Sequence, residues 1–346
     1  MRPLPKTVVD RIGRNLHLNP NHPLGIVKGK VDDFFVKTGD FISFNPPLDP
    51  KISISRAFDD LLIPLGHPSR SPSDTFYTSP TEVLRPQATS YQAAALHAAR
   101  EAGVRGVVWA CDVYRRDEVD RTHFPVFHQT DGAKLCSGAT VVLDDLCEQL
   151  EGLVKHLWGD AVESRWDKTA TFPFTQPSLE LELRIPGRED WIECLGCGEI
   201  RKELLPAGER GWAFGIGLER IAMLLFGIDD IRLFWSTDQR FTSQFTAGTI
   251  SRFKPFSTFP VASRDVSFWA GSDFQDNVFF EVLRDTAGGA LETVKLVDEF
   301  SQSGRKSLCY RLEYRGVDHP LTHEEVNELQ SKVVSAVVSN LSVALR

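Results

Sequence analysis

VYRRDEVDRTHFPVFHQTDG, residues 113–132, carries three arginines, four acids, two histidines and a glutamine, interrupted by Tyr114, Phe124 and Phe127. That mixture is too polar for a core strand and too aromatic for a solvated loop, so it suits a ligand. The β-prone run GVVWACDVY from Gly106 and the proline at Pro125 predict a strand entering a loop and a second strand returning, with Arg115 at the bend. An arginine fork on a strand matches a phosphate bidentately, and an aromatic ring a few positions on can stack a purine. Each residue alone also has a plainer reading. Arg115 with Asp117 makes a strand-end ion pair, and Gln129 and Asp131, two apart on one strand face, can simply be solvated.

The bounds around this stretch are wide. A chain of 346 residues allows one large core and a smaller second one. With 42% hydrophobic and 25% charged residues the composition is that of an ordinary globular protein. The net charge of -8 gives no global pointer to nucleic acid, so any RNA contact must rest on a local patch. The longest apolar runs are broken by charge, and no membrane span is expected. Six scattered cysteines in so long a chain read as a reducing compartment. Cys194 and Cys197, the lone CxxC, lack a second Cys or His pair, and they read as two small residues in a Gly-rich strand end. The first residues, MRPLPKTVVDRIGRNL, are mildly basic without a signal-peptide core, which leaves room for a targeting peptide removed upstream.

Outward from the central stretch, the periodicity predicts helices over 7–18, 24–35 and 142–157, and an alanine-rich helix after Tyr91 with Thr89 and Ser90 as cap candidates. Between them lies the proline-rich segment ending at Pro50 and the irregular run ISRAFDDLLIPLGHPSR. Strands are expected at 162–166, 178–185 and 191–195, and strand after strand without intervening helices argues for an antiparallel sheet. GWAFGIGLERIAMLLFGIDDIR, residues 211–232, has glycines that admit a close backbone approach before a helix carrying Arg220. It is not a dinucleotide fingerprint, because Arg220 stands at the third glycine and no βαβ unit follows. From about Phe256 the pattern is strand, helix, strand, strand, helix and a short terminal strand. Leu308, Tyr310, Leu312 and Tyr314 alternate with polar residues, and Thr322 with Glu325 forms a capping box. This βαββαβ order is a ferredoxin-like sandwich.

These motifs resemble, over nearly the whole chain, the single-chain mitochondrial-type phenylalanyl-tRNA synthetases, a family of class II aminoacyl-tRNA synthetases. YRRDEVDRTHFPVFHQ is similar to class II motif 2 and GWAFGIGLER to motif 3; PFSTFPVASRDVSFW resembles the start of the family's anticodon-binding domain, and Pro50 sits where motif 1 would place its proline. The resemblance implies an α+β fold: a class II antiparallel sheet with flanking helices, then a C-terminal ferredoxin-like βαββαβ domain. The expected division is an N-terminal extension and helix over 1–35, a catalytic domain over 36–240, a linker over 241–255 and an anticodon-binding domain over 256–346.

What the family does implies activation of L-phenylalanine with ATP and Mg2+ to phenylalanyl-adenylate, then transfer to the 3′ end of tRNA(Phe), in the mitochondrial matrix. Position by position, Arg115 would hold the α-phosphate and the reacting carbonyl. Asp117, Thr122, His123 and Phe124 would lie by the nucleotide, Phe127 would stack on adenine, and Arg220 would lie against its other face near the γ-phosphate. Thr89, Ser90, Gln92, Gln129, Thr130 and Asp131 would meet the amino acid's polar end. Phe172 and Phe174 would grip its ring edge-to-face, with Glu193, Ala213 and Phe214 closing the pocket. Arg311 and Arg315 on the C-terminal sheet would meet tRNA phosphates, with Trp269 able to stack a base. A carboxylate nucleophile needs no base, so the site positions and stabilises charge, and no protein metal ligand set is expected.

Two departures stand out. Relatives usually carry His-Thr-Ser after Leu-Arg; here Leu84 and Arg85 are followed by Pro86, Gln87, Ala88 and Thr89. Asp131 stands where glutamate is common. Motif 1 is weak, and a monomer is expected. The alternative reading is a class II-like adenylate-forming enzyme or amino-acid sensor that does not charge tRNA.

Overall fold

In the computed structural model, which describes residues 3–255, 259–302, 304–316 and 319–346, the chain forms two main sheets one after the other in sequence. It opens with α1 (Lys6–Val9), a 3-10 turn at Leu16–Leu18, and α2 (Pro23–Val36). The helix predicted over 7–18 is broken because Gly13 and Asn15 adopt φ of +80° and +43°, left-handed values through which a helix does not continue. Helix α2 starts as its sequence directs: Pro23 occupies the first turn and the His22 ring accepts from Leu24 N–H. Its periodic residues Leu24, Val27, Val31 and Phe35 are all buried.

After β1 (Phe41–Phe44), the hairpin-like pair β2 (Lys51–Ser53) and β3 (Glu82–Leu84) brackets the short helix α3 (Ile54–Ala57) and the irregular segment. Helix α4 (Gln92–Glu101) follows a 3-10 turn at Ala88–Tyr91. Neither Thr89 nor Ser90 caps it, and no side chain does. Then come β4 (Gly106–Tyr114), β5 (Val126–Cys136), α5 (Val142–Trp158), β6 (Glu163–Asp167), β7 (Thr175–Arg184), β8 (Ile192–Ile200), β9 (Arg210–Gly217), α6 (Leu218–Phe226) and α7 (Gln239–Thr242). Strand β8 runs five residues past the expected end, so Cys194 and Cys197 are buried strand-interior residues and not a strand end.

Seven strands pair in the order β1-β4-β5-β9-β8-β7-β6. The pairs are antiparallel as predicted, except that β1 runs parallel to β4 at one edge. One face carries Val108, Val126, Leu181, Leu195, Trp212 and Ile216, and it is covered by α2, α5 and α6. The other face is covered only over β1, β4 and β5, where Trp109 and Val113 pack against Tyr91, Ala95 and Leu96. Across β9 and β8 its residues are small: Ala213, Gly215 and Gly217, then Gly196 and Gly198. The uncovered half with its missing side chains is the concavity in which the site lies.

The segments expected as extension and linker are packed on this body. Val8, Leu16 and Leu24 belong to its core, as do Phe241, Phe245 and Phe253. Phe241 meets the rings of Phe245 and Phe253 at 4.9 and 5.5 Å. Phe241→Ala should therefore destabilise the catalytic body by about 3–5 kcal/mol. Thermal melts of the variant check this; an unchanged melting temperature would mean that 241–255 is a tether.

The second sheet is built from β10 (Ala262–Ala270), β11 (Leu291–Gln302), β12 (Arg305–Tyr314) and β13 (Val343–Leu345), in the order β11-β12-β10-β13. Helices α8 (Asp276–Ala287) and α9 (His323–Asn340) cover one face. Leu308, Tyr310, Leu312 and Tyr314 are buried beneath them, and the Thr322–Glu325 capping box forms. The sequence motif proposed to open this domain includes residues 256–258, which lie outside the described residues. The whole is the α+β arrangement expected: a class II sheet with flanking helices, then the ferredoxin-like βαββαβ unit.

Candidate active site

A cleft of about 690 Å³ opens on the uncovered half of the first sheet. One row of paired residues runs Trp109, Asp131, Gly215, Gly196 and Glu180, on β4, β5, β9, β8 and β7, and its middle three, Asp131, Gly215 and Gly196, line the cleft. The glycines explain how a buried carboxylate and an aromatic ring fit there. A Cβ on Gly215 would lie 3.0 Å from Asp131 Oδ1, and one on Gly196 would lie 2.7 Å from the Phe172 ring.

Asp131 is 2% exposed. Its Oδ2 accepts from Thr89 Oγ1 at 2.7 Å, while the buried Oδ1 has no hydrogen-bond partner among the described residues. Burial pushes its pKa up to about 7 against the pull of Thr89 and Arg115. Gln129, two residues earlier on the same face, accepts from Ala88 N–H through Oε1. Ala88 O in turn accepts from the buried Trp109 indole at 2.9 Å. The altered Gln87–Thr89 segment is thus fastened to strands β4 and β5, and Thr89 is the residue it delivers. Gln87 reaches the cleft and donates to Ala57 O.

Three expected amino-acid contacts are corrected. Thr130 alternates to the opposite face, fully buried, with no place in the cleft lining. Ser90 and Gln92 are likewise buried outside it, because the 3-10 turn aims Thr89 inward and the following residues into the helix packing. A fourth is refined. Phe214 borders the cleft, but its ring stacks on Phe35 at 5.2 Å across the sheet, so only the strand backbone there can face a ligand. Ala213, on the near face, and Phe172 and Phe174 line the cleft. The two phenyl rings lie nearly parallel, 5.9 Å apart at 8°.

Toward the other end stand Arg115, Asp117, Thr122, His123, Phe127, Glu193 and Arg220. Arg115 Nε donates to Pro86 O at 2.6 Å, and its guanidinium lies over the Phe127 ring at 5.2 Å. The planar fork is held at one edge while the rest faces the cleft. Burial lowers its pKa, with Asp117 and Asp131 working the other way. His123 Nδ1 is 2.7 Å from Asp120 Oδ2, a hydrogen bond that raises the imidazole pKa and favours its charged form. Burial opposes Asp120's charge, but the bonds from His123 and Thr122 outweigh it and hold its pKa well below the carboxylate range. Thr122 Oγ1 also donates to Asp120, so the two residues form one Asp-anchored turn. Arg220 Nη1 is 3.2 Å from both the main-chain oxygen and Oε2 of Glu193. Phe124 borders the cleft, while its ring, 6% exposed, is mostly core and stacks on Trp235 with Arg11 and Arg284 over it.

Several supporting residues carried no signal in the sequence. Beneath the floor, Glu219 accepts from both His128 N–H and His128 Nδ1, at 2.8 and 2.7 Å. This pair ties Phe127 and Gln129 on β5 to Arg220 on α6. Glu219→Ala strands two buried donors and should cost about 2–5 kcal/mol, whereas Glu219→Gln keeps an acceptor and should cost less than half as much. Chemical denaturation of both variants tests this; equal losses would rule out the hydrogen-bond account. The loop between the two motif strands also leans on the second domain. Arg116 pairs with Glu281 of α8, Arg284 donates to the main-chain oxygens of Asp117 and Glu118, and Val119 joins the second domain's core.

On the C-terminal sheet, Arg311 is exposed and paired with Asp265 at 2.8 Å. Arg315 is held by Glu292 and by Phe259 O, so it braces the domain's edge and is not displayed to a polyanion as expected. Trp269 sits under Arg305 and Arg346.

Arg115, a buried carboxylate with an open oxygen, and an aromatic slot in one cleft can orient a phosphate ester, an ammonium and a planar ring together. The family model for the class II core domain of tRNA synthetases matches residues 9–245, and that for the ferredoxin-fold anticodon-binding domain matches 257–346. The chain is 43% identical to a phenylalanine–tRNA ligase, chloroplastic/mitochondrial, of Arabidopsis thaliana, over 99% of this chain and 82% of the relative. It is 36% identical to the mitochondrial enzyme of Mus musculus (98% and 85%) and 34% to that of Saccharomyces cerevisiae (98% and 91%). Among solved structures, pyrrolysyl-tRNA synthetase of Desulfitobacterium hafniense superposes with a TM-score of 0.50 at 14% identity, covering 68% of this chain and 79% of that one, which shows likeness of fold.

Proposed function

The chain belongs to the mitochondrial-type phenylalanine–tRNA ligases of the class II aminoacyl-tRNA synthetases, and from that premise we propose how its cleft performs their reaction. The protein activates phenylalanine with ATP and transfers it to tRNA(Phe) in mitochondrial translation. The observation that carries the site assignment is the unpaired oxygen of buried Asp131 beside Thr89 and Gln129, two strand pairings away from Gly196 under the Phe172 ring and in the same cleft as Arg115.

The substrate's ammonium group sits against Asp131 and Thr89, with Gln129 beside it. Its phenyl ring enters the space bounded by Phe172, Phe174 and Ala213. ATP lies across Arg115 with adenine on Phe127, while Asp117, Thr122 and His123 line the outer phosphate side. Arg220 leaves Glu193 to meet the nucleotide. A carboxylate oxygen of phenylalanine then attacks the α-phosphorus, the bond to the bridging oxygen breaks, and pyrophosphate leaves. Arg115 holds the charge that develops on the phosphoryl oxygens. In the second step the terminal ribose hydroxyl of tRNA attacks the acyl carbon and AMP departs.

Class II cores use ATP with magnesium. Burial, then repulsion from Glu193, raises the pKa of Glu180, so the two carboxylates are neighbours, with Glu193 the one that lines the cleft. Such an oxygen donor set fits a hard cation that also binds phosphates, and Glu193 with Glu180 would hold it. When bound, the ion neutralises phosphate charge.

We assign residues 3–255 to the catalytic body and those from 259 onward to the tRNA-binding unit, and the working form to a monomer. Pyrophosphate exchange with each amino acid, followed by charging of tRNA(Phe), tests the whole reading. Phenylalanine-dependent exchange with charging is expected; exchange without charging would favour an adenylate-forming enzyme of another pathway.

A further inference from the structure

Prolines at 46, 47 and 50 leave that segment short of N–H donors, and its carbonyls must find partners elsewhere. A single residue supplies them. The Arg85 guanidinium donates from Nη1 to Pro47 O at 2.8 Å and to Asp49 O at 3.2 Å, and from Nη2 to Leu48 O at 3.4 Å. The Arg85 main-chain N–H takes Pro50 O at 2.9 Å, so the carbonyls of 47 to 50 all end on this residue.

Arg85 and Asp112 are both fully buried. Arg85 Nε donates to Asp112 O at 2.6 Å and Nη2 donates to Asp112 Oδ1, while the Tyr114 hydroxyl donates to Asp112 Oδ2. Nη1 also donates to the Tyr91 hydroxyl at 3.1 Å, and Arg85 O accepts from Tyr114 N–H at 3.0 Å. Each guanidinium nitrogen and each carboxylate oxygen of the pair is thus engaged. A buried ion pair is costly to desolvate, and apolar residues of the same volume often hold a core as well or better. What sets this pair apart is where its rigidity ends. Strand β4, which carries Asp112 and Tyr114, runs directly into Arg115. On the other side Arg85 is followed by Pro86, whose carbonyl accepts from Arg115 Nε at 2.6 Å, and Tyr91 closes the turn that delivers Thr89. The pair therefore joins the segment that carries the Arg115 main chain to the segment that grips its guanidinium. Of all these groups only Pro86, Thr89 and Arg115 line the cleft.

We infer that Arg85, paired with Asp112, is a positioning residue for adenylate formation: it fixes the Pro86 carbonyl against the end of β4 and so sets the angle at which the Arg115 fork meets the α-phosphate. The 47–50 carbonyls brace the guanidinium from behind, so the proline-rich segment contributes to the chemistry without touching a substrate. A planar fork gains its advantage over a point charge only when its orientation is fixed, which is what the Pro86 bond and the pair behind it supply. The inference rests on the ligase reading and deepens it, since it names what holds the arginine that the reaction uses.

The test measures single-turnover formation of phenylalanyl-adenylate by the full chain, below the melting temperature of every variant. Arg85→Lys keeps the charge but cannot reach the 47–50 carbonyls and Asp112 together. It should lower the rate at saturating substrates about a hundredfold, the loss that a misplaced reacting geometry brings. The ATP concentration giving half the maximal rate should change little, because Arg115 acts on charge that develops in the transition state. In an Arg115→Ala background the same substitution should change the rate by less than about threefold, since its route to the chemistry is already gone. Asp112→Asn keeps the shape of the pair without its charge and repeats the cycle, with a loss of about tenfold expected only while Arg115 is present. Should Arg85→Lys not fold, the Asp112→Asn cycle decides alone. The inference is overturned if the folded variants keep the wild-type rate, or if their losses are as large without Arg115 as with it. It is equally overturned if the loss falls on the half-saturating ATP concentration alone, which would make the pair a support for binding. A wild type that forms no phenylalanyl-adenylate would instead overturn the ligase reading itself.

Discussion

Arg115→Ala should lower phenylalanine-dependent pyrophosphate exchange by about a thousandfold or more. Its guanidinium is the cation in the cleft that the protein both buries and leaves with a free donor edge: Nε is tied to Pro86 O, and Phe127 supports the plane. A preorganised donor aimed at charge developing on a transferring phosphoryl group contributes about 10²–10³ in rate when neutral, and a charged arginine about 10³–10⁵. Arg115→Lys should recover little, because a point charge on a flexible stem cannot keep the Pro86 bond and grip phosphate together. Melting temperatures separate this from unfolding. A folded Arg115→Ala protein with exchange within tenfold of wild type would remove Arg115 from the chemistry.

Asp131→Asn should raise the KM for phenylalanine about a hundredfold, since an ammonium buried beside a neutral amide loses its partner in a site water cannot reach. The same carboxylate should make binding pH-dependent. With its pKa near 7 in the free protein, Asp131 is largely protonated at pH 6 and ionised at pH 8, so affinity for phenylalanine should rise across that range. Stability runs the other way. A carboxyl whose folded pKa is raised contributes stability that is fully present below its unfolded pKa, about 4, and lost as pH rises through about 7. Asp131→Asn should therefore be more stable than wild type at pH 8, by on the order of a few kcal/mol, and by less than half as much at pH 5. A flat binding profile across pH 6 to 8, with equal melting differences at both pH values, would show that Asp131 is ionised throughout and that Thr89 and Arg115 outweigh its burial.

The two departures from the family pattern are resolved as one arrangement. The shortened acid at position 131 and the Gln87–Thr89 segment meet through the Thr89–Asp131 hydrogen bond. The segment's position follows from Trp109, whose indole donates to Ala88 O, and from the Ala88 N–H, which donates to the Gln129 side-chain oxygen. Three fastenings on one short turn leave Thr89 little choice of direction, and they turn Ser90 and Gln92 away.

Local pattern determined a good deal here. The alternation of Leu308 to Tyr314, the heptad-like spacing of α5, the Thr322 cap and the strand-loop-strand reading of 113–132 all follow from period and turn chemistry, which act within a few residues. So did the placing of Arg115, Phe127, Gln129, Asp131 and Arg220 at the site, through long motifs in a fixed order. Tertiary structure decided what depends on distant partners. Thr130 and Phe214 alternate to the far face because β5 and β9 pair in one register and no other. Phe124 borders the cleft with most of its ring in the core, because Trp235, Arg11 and Arg284 converge on it from three parts of the chain. Arg315 is taken by Glu292 across the strand edge, a pairing that no reading of β12 alone contains. Burial of a carboxylate or a ring is a property of the whole packing around it, and that packing, unlike helical or strand period, is not written in any one stretch.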